Sequence, residues 1–428
     1  MTAQRLTGGE PTASHRATDG PWNRVARATG LLRADGVVAA SVFTEMSALA
    51  QRTGALNLGQ GFPDDDGPEF LRDLAATAVR GGPDDPAGLN QYPPGPGLPA
   101  LRRAVATHQE RHYGLTVDPD TEVLVTAGAT EALAATVLAL VGPGDEVITL
   151  EPYYDAYAAV IALAGAVHRT IPLHAGLTGF RPTASEISAA FSPRTRLVLL
   201  NTPHNPTGTV LTAEEIGWIA AAAIAHDVIV VTDEVYEHLT YDGARHVPIA
   251  TLPGMEDRTL TVSSAGKTLS LTGWKVGWVH GPAELVSAVR TVKQFLTFVT
   301  SGPFQHAVAT ALDDRDGRTA RYVAALRRSL ASRRDQLSDG LRAAGLVPIT
   351  PHGTYFLLAD AGPAGFDDAA EFCRRLPELA GVVAIPATAF CQPGSETWAT
   401  LRSYVRFTFV KREATVQEAV RRLASRRP

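Results

Sequence analysis

The sequence predicts an α/β protein with a large domain built on a mostly parallel sheet and a smaller α+β domain. From about residue 120 to 280, short apolar runs alternate with segments of helical periodicity, as in a parallel sheet covered by helices. A long arginine-rich helical stretch follows, and then short alternating runs, which indicate a second, smaller domain. Unusual polar residues come directly after the apolar runs, where open parallel sheets bind ligands.

The predicted elements follow the apolar runs in chain order. The large-domain strands are expected at 122–126, 146–150, 168–173, 196–200, 228–232, 259–262 and 276–280, with helices at 130–141, 157–164 and 213–226. The smaller domain is expected to contain a helix at 318–344 and strands at 347–350, 354–359, 382–385 and 405–410.

These elements divide the chain into four parts. Residues 1–35 begin with a stretch rich in Thr, Gly, Ala and Pro and are predicted to be a disordered extension. Residues 36–75 are expected to pack with the small domain, residues 76–315 to form the large domain, and residues 316–428 to form the small C-terminal domain.

Composition narrows the class of protein. The 428 residues include 45% hydrophobic residues and carry a formal net charge of −5 without a basic stripe, so we expect neither a nucleic-acid nor a membrane partner. No apolar run is long enough to span a bilayer. The only cysteines, Cys373 and Cys391, exclude a disulfide framework and favour a reducing cytoplasm. No metal site is expected.

Lys267 stands in a turn of small residues, just after the apolar run 260–262. Buried lysines are rare because desolvating an ammonium is costly. A chemical explanation is a Schiff base to pyridoxal phosphate (PLP), with the Ser264 hydroxyl and the Lys275 ammonium near the phosphate. The alternative, from this stretch alone, is an ordinary surface loop.

Two further stretches lie after predicted strands. Residues 126–132 join a strand to a helix through small residues, so that Ala129 and Thr130 would offer free helix amides to a phosphate. A tight turn with Thr130 as the helix N-cap explains the same residues. Tyr154 follows the next strand and could stack on a planar ring, although tyrosines there could also only pack.

Amide and carboxylate side chains follow the next two strands. Asn205 lies in a turn fixed by two prolines and a glycine and could donate to a ring oxygen. Asp233 ends a strongly apolar strand, so its carboxylate needs a partner, and a protonated pyridine nitrogen would suit it. Tyr236 could reach the phenolic oxygen of the same ring. The alternatives are a plain turn at Asn205 and an N-capping role for Asp233.

Arg406 lies in an alternating strand with aromatic neighbours. A guanidinium held there suits bidentate binding of a carboxylate, although an internal salt bridge would also explain it. The ordered set of phosphate turn, aromatic, asparagine, aspartate, lysine and arginine supplies the groups that a PLP site needs, and the combination is more specific than any member.

With these motifs the chain resembles the aminotransferases of PLP fold type I, class I/II, over about residues 40 to 425. It is most similar to the branch with kynurenine, methionine and actinobacterial N-succinyldiaminopimelate aminotransferases. The stretches that carry the resemblance are LNLGQGFP at 56–63, NQYP at 90–93, NTPHNPTG at 201–208, DEVYEHL at 233–239, residues 263–278, GTYFLL at 353–358 and VRF at 405–407. Residues 43–50 and 93–97 look most like the actinobacterial members.

The resemblance implies a role for each of the cofactor residues. Lys267 would be the Schiff-base lysine, and Tyr154 would stack on the ring. Asp233 would pair with the ring nitrogen, and Asn205 and Tyr236 would contact the 3-oxygen. The phosphate would be held by Ala129, Thr130, Ser264 and Lys275, and by Tyr92 of a neighbouring subunit.

The same resemblance implies a substrate site and an assembly. Arg406 would bind the α-carboxylate, assisted by Asn205 and the Gly61 backbone, and Phe43 would line the substrate pocket. The sharing of Tyr92 implies a homodimer with shared active sites. Kynurenine-type members carry a tryptophan near Phe43 and a histidine near Val299, and both are missing from this chain.

The implied activity is ping-pong transamination between an L-amino acid and a 2-oxo acid. The preferred substrates are N-succinyl-LL-2,6-diaminopimelate and glutamate, in lysine biosynthesis. The alternative is a broad methionine, glutamine or aromatic (kynurenine-type) aminotransferase with cysteine-conjugate β-lyase activity. A non-enzymatic PLP-binding protein is a third hypothesis, disfavoured because the first 40 residues are too few and too polar for a fused DNA-binding domain.

Overall fold

The computed structural model describes residues 20–33, 35–81, 88–176 and 179–425. The strands are β1 Leu56–Asn57, β2 Val123–Thr126, β3 Glu146–Glu151, β4 Val167–Pro172, β5 His174–Gly176, β6 Gly179–Arg181, β7 Thr195–Asn201, β8 Ile229–Asp233, β9 Thr259–Ser264, β10 Gly277–His280, β11 Val347–Ile349, β12 Phe356–Asp360, β13 Val382–Val383, β14 Ile385–Pro386 and β15 Tyr404–Thr408. The α-helices are α1 Pro21–Ala28, α2 Val42–Thr53, α3 Glu69–Arg80, α4 Pro99–Tyr113, α5 Gly128–Leu140, α6 Ala156–Ala164, α7 Ala184–Ala190, α8 Ala213–Ala225, α9 Ala265–Thr268, α10 Ala283–Lys293, α11 Gly302–Asp313, α12 Arg318–Ala343, α13 Ala369–Ala380, α14 Glu396–Thr400 and α15 Glu413–Ala424.

A seven-stranded sheet forms the centre of the protein, with the strand order β2-β10-β9-β8-β7-β3-β4. The five strands from β9 to β4 are parallel to their neighbours, whereas β10 is antiparallel to both β2 and β9. The register pairs Asn201 with Asp233 at the carboxyl ends of β7 and β8. The prediction of a mostly parallel α/β domain is confirmed.

Helices cover both faces of this sheet because alternate strand residues point to opposite sides. In β7, Leu199 joins the apolar cluster that includes residues of α5, α6 and α10, whereas Val198 and Leu200 join the cluster that includes α8. All residues of β3 and β9 are buried. Such complete burial is typical of parallel strands that are covered on both faces.

The C-terminal part forms a second, antiparallel sheet with the order β11-β12-β15-β14. Helices α12 and α15 contact each other beside it, and α13 contacts β13 and β14. The first strand, β1, pairs in parallel with β13, and α2 contacts α13. The segment before the large sheet therefore lies against the C-terminal part of the chain. The predicted α+β architecture of the smaller domain is confirmed.

The prediction of a disordered extension over residues 1–35 is wrong for Pro21–Ala28, which form helix α1. This helix contacts α6, and the Arg24 guanidinium donates a 3.2 Å hydrogen bond to the Ala162 carbonyl. Contacts with a distant helix stabilise a segment that its composition alone would leave unfolded. Residues 1–19 lie outside the described residues.

Two smaller elements were not predicted from the sequence. Strands β5 and β6 form a hairpin, and α7 begins with a capping box in which Thr183 and Glu186 satisfy each other's backbone amides. Within the described residues, no helix combines the length and the apolar character needed to cross a membrane.

Candidate active site

A cavity of about 310 Å³ opens at the carboxyl edge of the large sheet, between it and the C-terminal part of the chain. The sequence-predicted residues that line it come from positions near the ends of the large-sheet strands, from the segment before that sheet and from β15. They are Phe43, Gly61, Ala129, Thr130, Tyr154, Asn205, Asp233, Tyr236, Ser264, Lys267, Lys275 and Arg406. The fold thus brings together twelve of the thirteen residues that were proposed from the sequence.

Tyr92 is the exception. Its side chain is 82% exposed and its ring meets that of Phe298 edge-on at 5.6 Å, away from the cavity. A contact with a second subunit is compatible with this exposed position. The role assigned to Tyr92 from the resemblance stays a prediction.

Lys267 is presented by the one-turn helix α9, which begins directly after β9. Ser264 ends the strand in an extended conformation and is buried. The Lys267 ammonium lies 5.9 Å from the centre of the Tyr236 ring. Lys267 is half-buried and lines the cavity.

Residues at the start of α5 and before β10 form a cradle of donors. The Lys275 ammonium lies 3.4 Å from the Thr130 hydroxyl. A Cβ added to Gly128 would stand 3.1 Å from the Lys275 Nζ, and one on Gly277 would stand 2.5 Å from the Gly128 carbonyl carbon. The first amides of a helix are free donors at the positive end of its dipole, so the cradle suits a phosphate.

Asp233 ends β8 at the floor of the cavity. Its Oδ2 accepts a 2.7 Å hydrogen bond from the Tyr157 hydroxyl. Burial raises the pKa of Asp233 to about 6, although the hydrogen bond from Tyr157 acts in the opposite direction. A carboxylate with so little solvation gains strongly from a cationic or N–H partner inside the cavity.

Asn201 ties the ends of β7 and β8 together. Its side-chain amide donates a 2.8 Å hydrogen bond to the Asp233 carbonyl, and its carbonyl oxygen accepts one of 2.8 Å from the Asn205 backbone. One asparagine therefore fixes both the aspartate and the turn that carries Asn205. The two asparagines of this motif have different tasks, one structural and one facing the cavity.

Two tyrosines form walls above Asp233. The Tyr154 ring stands edge-on to Tyr157 at 5.5 Å, and burial raises the pKa of Tyr154 to about 12. Tyr236 is buried with its ring perpendicular to that of Tyr355 at 5.2 Å. Both hydroxyls are therefore protonated donors at neutral pH.

Arg406, on β15, is fully enclosed at the opposite wall. It donates to the Asn205 Oδ1 at 3.1 Å and to the Gly59 carbonyl at 2.8 Å. Its guanidinium carbon lies 4.2 Å and 4.4 Å from the centres of the Phe356 and Phe390 rings. Burial lowers its pKa to about 10, so it stays a cation at neutral pH.

Among the described residues, the Arg406 Nε has no hydrogen-bond partner although it is buried. Buried donors are almost always satisfied, and no carboxylate in the part of the chain that the structure describes forms an ion pair with this guanidinium. An anionic ligand would complete it. The internal salt bridge that the sequence left open is therefore not what the structure shows.

Gly61 brings backbone close to this arginine. Its carbonyl accepts a 2.8 Å hydrogen bond from the Tyr355 hydroxyl, and an added Cβ would lie 2.3 Å from the Phe356 Cζ. Only a residue without a side chain fits here. The neighbouring Phe43 ring packs edge-on against Phe390 at 5.9 Å.

The sequence of this chain matches a known protein family. The profile of the family "Aminotransferase class I and II" matches residues 53–423. The chain belongs to this family. The predicted family, its fold type and its transaminase activity are thereby confirmed.

Relatives of this aminotransferase cover nearly the whole chain. A probable N-succinyldiaminopimelate aminotransferase, DapC, of Mycobacterium tuberculosis is 53% identical over 393 residues, which are 90% of this chain and 96% of that protein. The Escherichia coli methionine aminotransferase is 41% identical over 383 residues, 90% of this chain and 95% of that protein. The solved structure of the M. tuberculosis N-succinyldiaminopimelate aminotransferase has a TM-score of 0.85, and the match covers 90% of this chain and 97% of that one.

Sequence reasoning missed several residues that shape the aminotransferase site. Tyr157 was placed on a helix and in a tyrosine cluster but not against Asp233, Asn201 was placed only in a turn, and the Tyr355 and Phe356 rings were not placed in the site at all. All four lie within quoted motifs or next to predicted site residues. Proximity to those motifs was the available signal, but the contacts themselves connect elements far apart in sequence.

Proposed function

We propose that this aminotransferase binds PLP and moves the amino group of N-succinyl-LL-2,6-diaminopimelate, with glutamate and 2-oxoglutarate as the paired amino acid and oxo acid. The observation that carries the choice of substrate is the 53% identity to the M. tuberculosis relative, over 90% of this chain. The cavity supports the general reaction through its lysine, its buried carboxyl group and its enclosed arginine.

The residues present fit PLP in three independent respects. Asp233 is a buried carboxyl group that accepts hydrogen bonds from the Tyr157 hydroxyl and, at 3.4 Å, from the Val235 backbone N–H, and it would hold the ring nitrogen. The Gly128 turn leaves room for Lys275 beside Thr130, where the phosphate would be held. Lys267 lines the same cavity. When bound, PLP supplies an aldehyde that takes up the amino group and a ring that draws electrons from the substrate Cα.

Separate side chains of this protein would transfer the proton, keep the ring nitrogen protonated and orient the ring. Lys267 is the candidate general base and acid, because an amine in this position can take a proton from the substrate Cα and deliver it again. Asp233 would keep a proton on the ring nitrogen. Tyr154 would pack against the ring face, and Asn205 and Tyr236 would orient its phenolic oxygen.

Arg406 would hold the substrate by its α-carboxylate. The guanidinium is already aligned by Asn205 and the Gly59 carbonyl, so little side-chain entropy is lost when the substrate binds. Because every amino acid and 2-oxo acid carries this carboxylate, Arg406 positions both halves of the reaction. It does not select the side chain of the substrate.

The alternative activity is a broad methionine, glutamine or kynurenine-type aminotransferase, including β-lyase action on cysteine conjugates. The 41% identity to the E. coli methionine aminotransferase favours it. Phe43 contributes an aromatic wall beside Arg406, with 5.6 Å between the guanidinium carbon and the ring centre. Such a wall suits an apolar as well as an extended substrate chain.

A substrate panel separates the two activities. The enzyme, supplied with PLP and 2-oxoglutarate, is assayed with the succinylated diamine, methionine, glutamine, phenylalanine and kynurenine. We expect kcat/KM to be highest for the succinylated diamine. High turnover of methionine or phenylalanine with none of the succinylated diamine would reject this substrate and keep the transaminase.

Lys267→Ala tests the chemistry itself. Because the covalent and proton-transfer roles both disappear, we expect turnover to fall by several orders of magnitude while the protein stays folded. Arg402→Ala, at an exposed position, serves as the control. Near-normal turnover by the Lys267 variant would falsify its assignment.

We further propose that the enzyme is a cytoplasmic homodimer in which Tyr92 of one subunit reaches the phosphate site of the other. The exposed Tyr92 ring and its exposed neighbour Phe298 support this arrangement. Light scattering gives the mass in solution. A monomer that is fully active would contradict shared sites.

A further inference from the structure

A second cavity, of about 270 Å³, lies behind the strand that leads to Lys267 and contains a cluster of three histidines. His108 and His112 stand one helical turn apart on α4, so both project from the same side of that helix. His238 comes from the segment after β8. One ring nitrogen of each lies within 4.8 Å of those of the other two.

Glu237 joins this cluster and closes it into a set of four possible ligands. The Nε2 atoms of His108 and His238 are 3.2 Å apart. The Glu237 Oε2 lies 3.3 Å from the first and 3.9 Å from the second. Side chains from two distant segments therefore come together around the His108 ring, which has His238 and Glu237 directly beside it and a His112 nitrogen within 4.8 Å.

Two of these three separations match what one zinc ion requires, and the third, 3.9 Å between His238 and Glu237, is longer. With Zn–N distances of about 2.0–2.1 Å and tetrahedral angles, neighbouring ligand atoms stand about 3.3–3.4 Å apart. The His108–His238 and His108–Glu237 distances agree with this to within a few tenths of an ångström. His112 is exposed, so its ring can complete the set by a rotation of its side chain.

We propose that His108, His112, His238 and Glu237 form a binding site for a divalent transition-metal ion of the zinc type. Three imidazoles and one carboxylate suit zinc and its neighbours, and do not suit magnesium or calcium, which take oxygen ligands. The site is separate from the PLP cavity and does not depend on the proposed substrate. It departs from the expectation, drawn from the two cysteines, that the chain holds no metal.

The surroundings of Glu237 support this site. Its Oε2 accepts a 2.7 Å hydrogen bond from the Tyr113 hydroxyl, and its Oε1 accepts one of 2.8 Å from Ser263. A carboxyl group that accepts on both oxygens is in its ionised form. Partners of this kind fix the orientation of a metal ligand and are part of well-built sites.

The two arginines that line the same cavity are occupied by backbone carbonyls. Arg111 donates to the Leu312 and Asp313 carbonyls, and Arg327 donates to the Thr240 carbonyl. Neither forms an ion pair with Glu237 among the described residues. The charge of the carboxylate is therefore not neutralised by either of these arginines.

The experiment uses the full-length protein, freed of metal with a chelator and then dialysed. Zinc chloride is titrated and bound zinc is measured by elemental analysis. We expect one equivalent per chain, and a rise of the unfolding temperature with zinc concentration, because the ion binds only the folded chain. Cobalt(II) in the same site should give the intense visible difference spectrum of a four-coordinate ion, recorded against the cobalt-free protein.

The variant His108→Gln/His112→Gln removes two ligands. Loss of one outer partner of a metal ligand costs about 10–100-fold in affinity, so we expect this variant to bind zinc at least 100-fold more weakly. His174→Gln is the matched control, because His174 is an exposed histidine with a single carboxylate neighbour at 2.7 Å. It should bind as the wild type does.

If the double variant fails to fold, His112→Gln alone gives the answer, since this side chain is exposed. Its zinc affinity should fall more than tenfold, and the four-coordinate cobalt spectrum should disappear. No zinc binding by the wild type would overturn the proposal, as would equal binding by the wild type and the histidine variants.

Discussion

Tyr157 donates its hydroxyl to Asp233 over 2.7 Å, and this bond joins α6 to the end of β8 beneath the active-site cavity. The tyrosine is fully buried, with its ring edge-on to Tyr154. It acts on Asp233 in the opposite sense to burial, because it lowers a pKa that desolvation raises. The ionisation of the carboxyl group therefore depends on the neighbouring Tyr157 hydroxyl as well as on burial.

Tyr157→Phe should remove the hydrogen bond that favours the ionised form of Asp233. Loss of a hydrogen bond to a charged group costs about 1.5–3 kcal/mol, which corresponds to a 10–100-fold loss of kcat/KM. The pKa of Asp233 rises further, so activity should disappear at a higher pH as the solution is acidified. The pH profile of kcat/KM measures this shift. Tyr241→Phe is the control, since Tyr241 is equally buried but bonds the Thr354 carbonyl outside the cavity.

Asp233→Asn should separate stability from activity. In the cofactor-free protein the folded-state pKa of about 6 exceeds the ordinary aspartate pKa of 3.8, so the folded state binds more protons than the unfolded state between these values. Stability from this group is present below the lower value and is lost as pH rises through about 6.

The amide carries no such penalty. Cofactor-free Asp233→Asn should be more stable than the wild type by about 3 kcal/mol near pH 7.5, and by about half of that near pH 5. Thermal unfolding at the two pH values measures the difference. Activity should be lost at both. A variant that is less stable than the wild type near pH 7.5 would show that Asp233 is not held against a desolvation penalty.

Arg406→Lys should damage both half-reactions alike. A lysine keeps the charge but cannot bond the Asn205 side chain, the Gly59 carbonyl and a substrate carboxylate from one plane. Truncating one partner of a buried charged pair costs about 2–5 kcal/mol, so kcat/KM should fall roughly 30-fold or more for the amino acid and for the oxo acid. Arg402→Lys, an exposed arginine on the preceding turn, should leave both values unchanged.

Gly61→Ala should push Phe356 away from Arg406. The added Cβ would stand 2.3 Å from the Phe356 Cζ, and overpacking of this kind costs about 1–3 kcal/mol. We expect a lower unfolding temperature and a raised KM for all substrates. Gly95→Ala is the matched control, because a Cβ there meets nothing within 4 Å. If the two substitutions had equal effects, the close approach of Gly61 to Phe356 would not matter for the position of Arg406.

The local pattern of apolar residues predicted the large sheet well, because buried parallel strands are recognisable as short apolar segments of the sequence. The predicted strand at 259–262 and the observed β9, Thr259–Ser264, differ by two residues at one end. The small domain strands were found in the same way. Helix α1 was not, because its stability comes from α6, which lies far away along the chain.

The site residues were predicted separately, from the residues that follow each predicted strand. The rule that ligands sit at carboxyl ends gathered Asn205, Asp233 and Lys267 correctly. It could not find Tyr157, whose position on α6 matters only after the helix packs against β8. Nor could it find the cluster of His108 and His238, which are brought together by the packing of α4 near the segment after β8.

The antiparallel direction of β10 limits which sequence changes this enzyme can tolerate. Because β10 runs against β9, the chain leaves the sheet edge at Ser264 and returns to the same edge at Gly277. Lys267 and Lys275 are thus two points on one short return loop, and the length of that loop fixes the spacing between the reacting amine and the anion cradle. Single-residue insertions or deletions between them would be far less tolerated than substitutions. Diversity among such enzymes should accumulate in residues like Phe43, which reach the cavity from outside this loop.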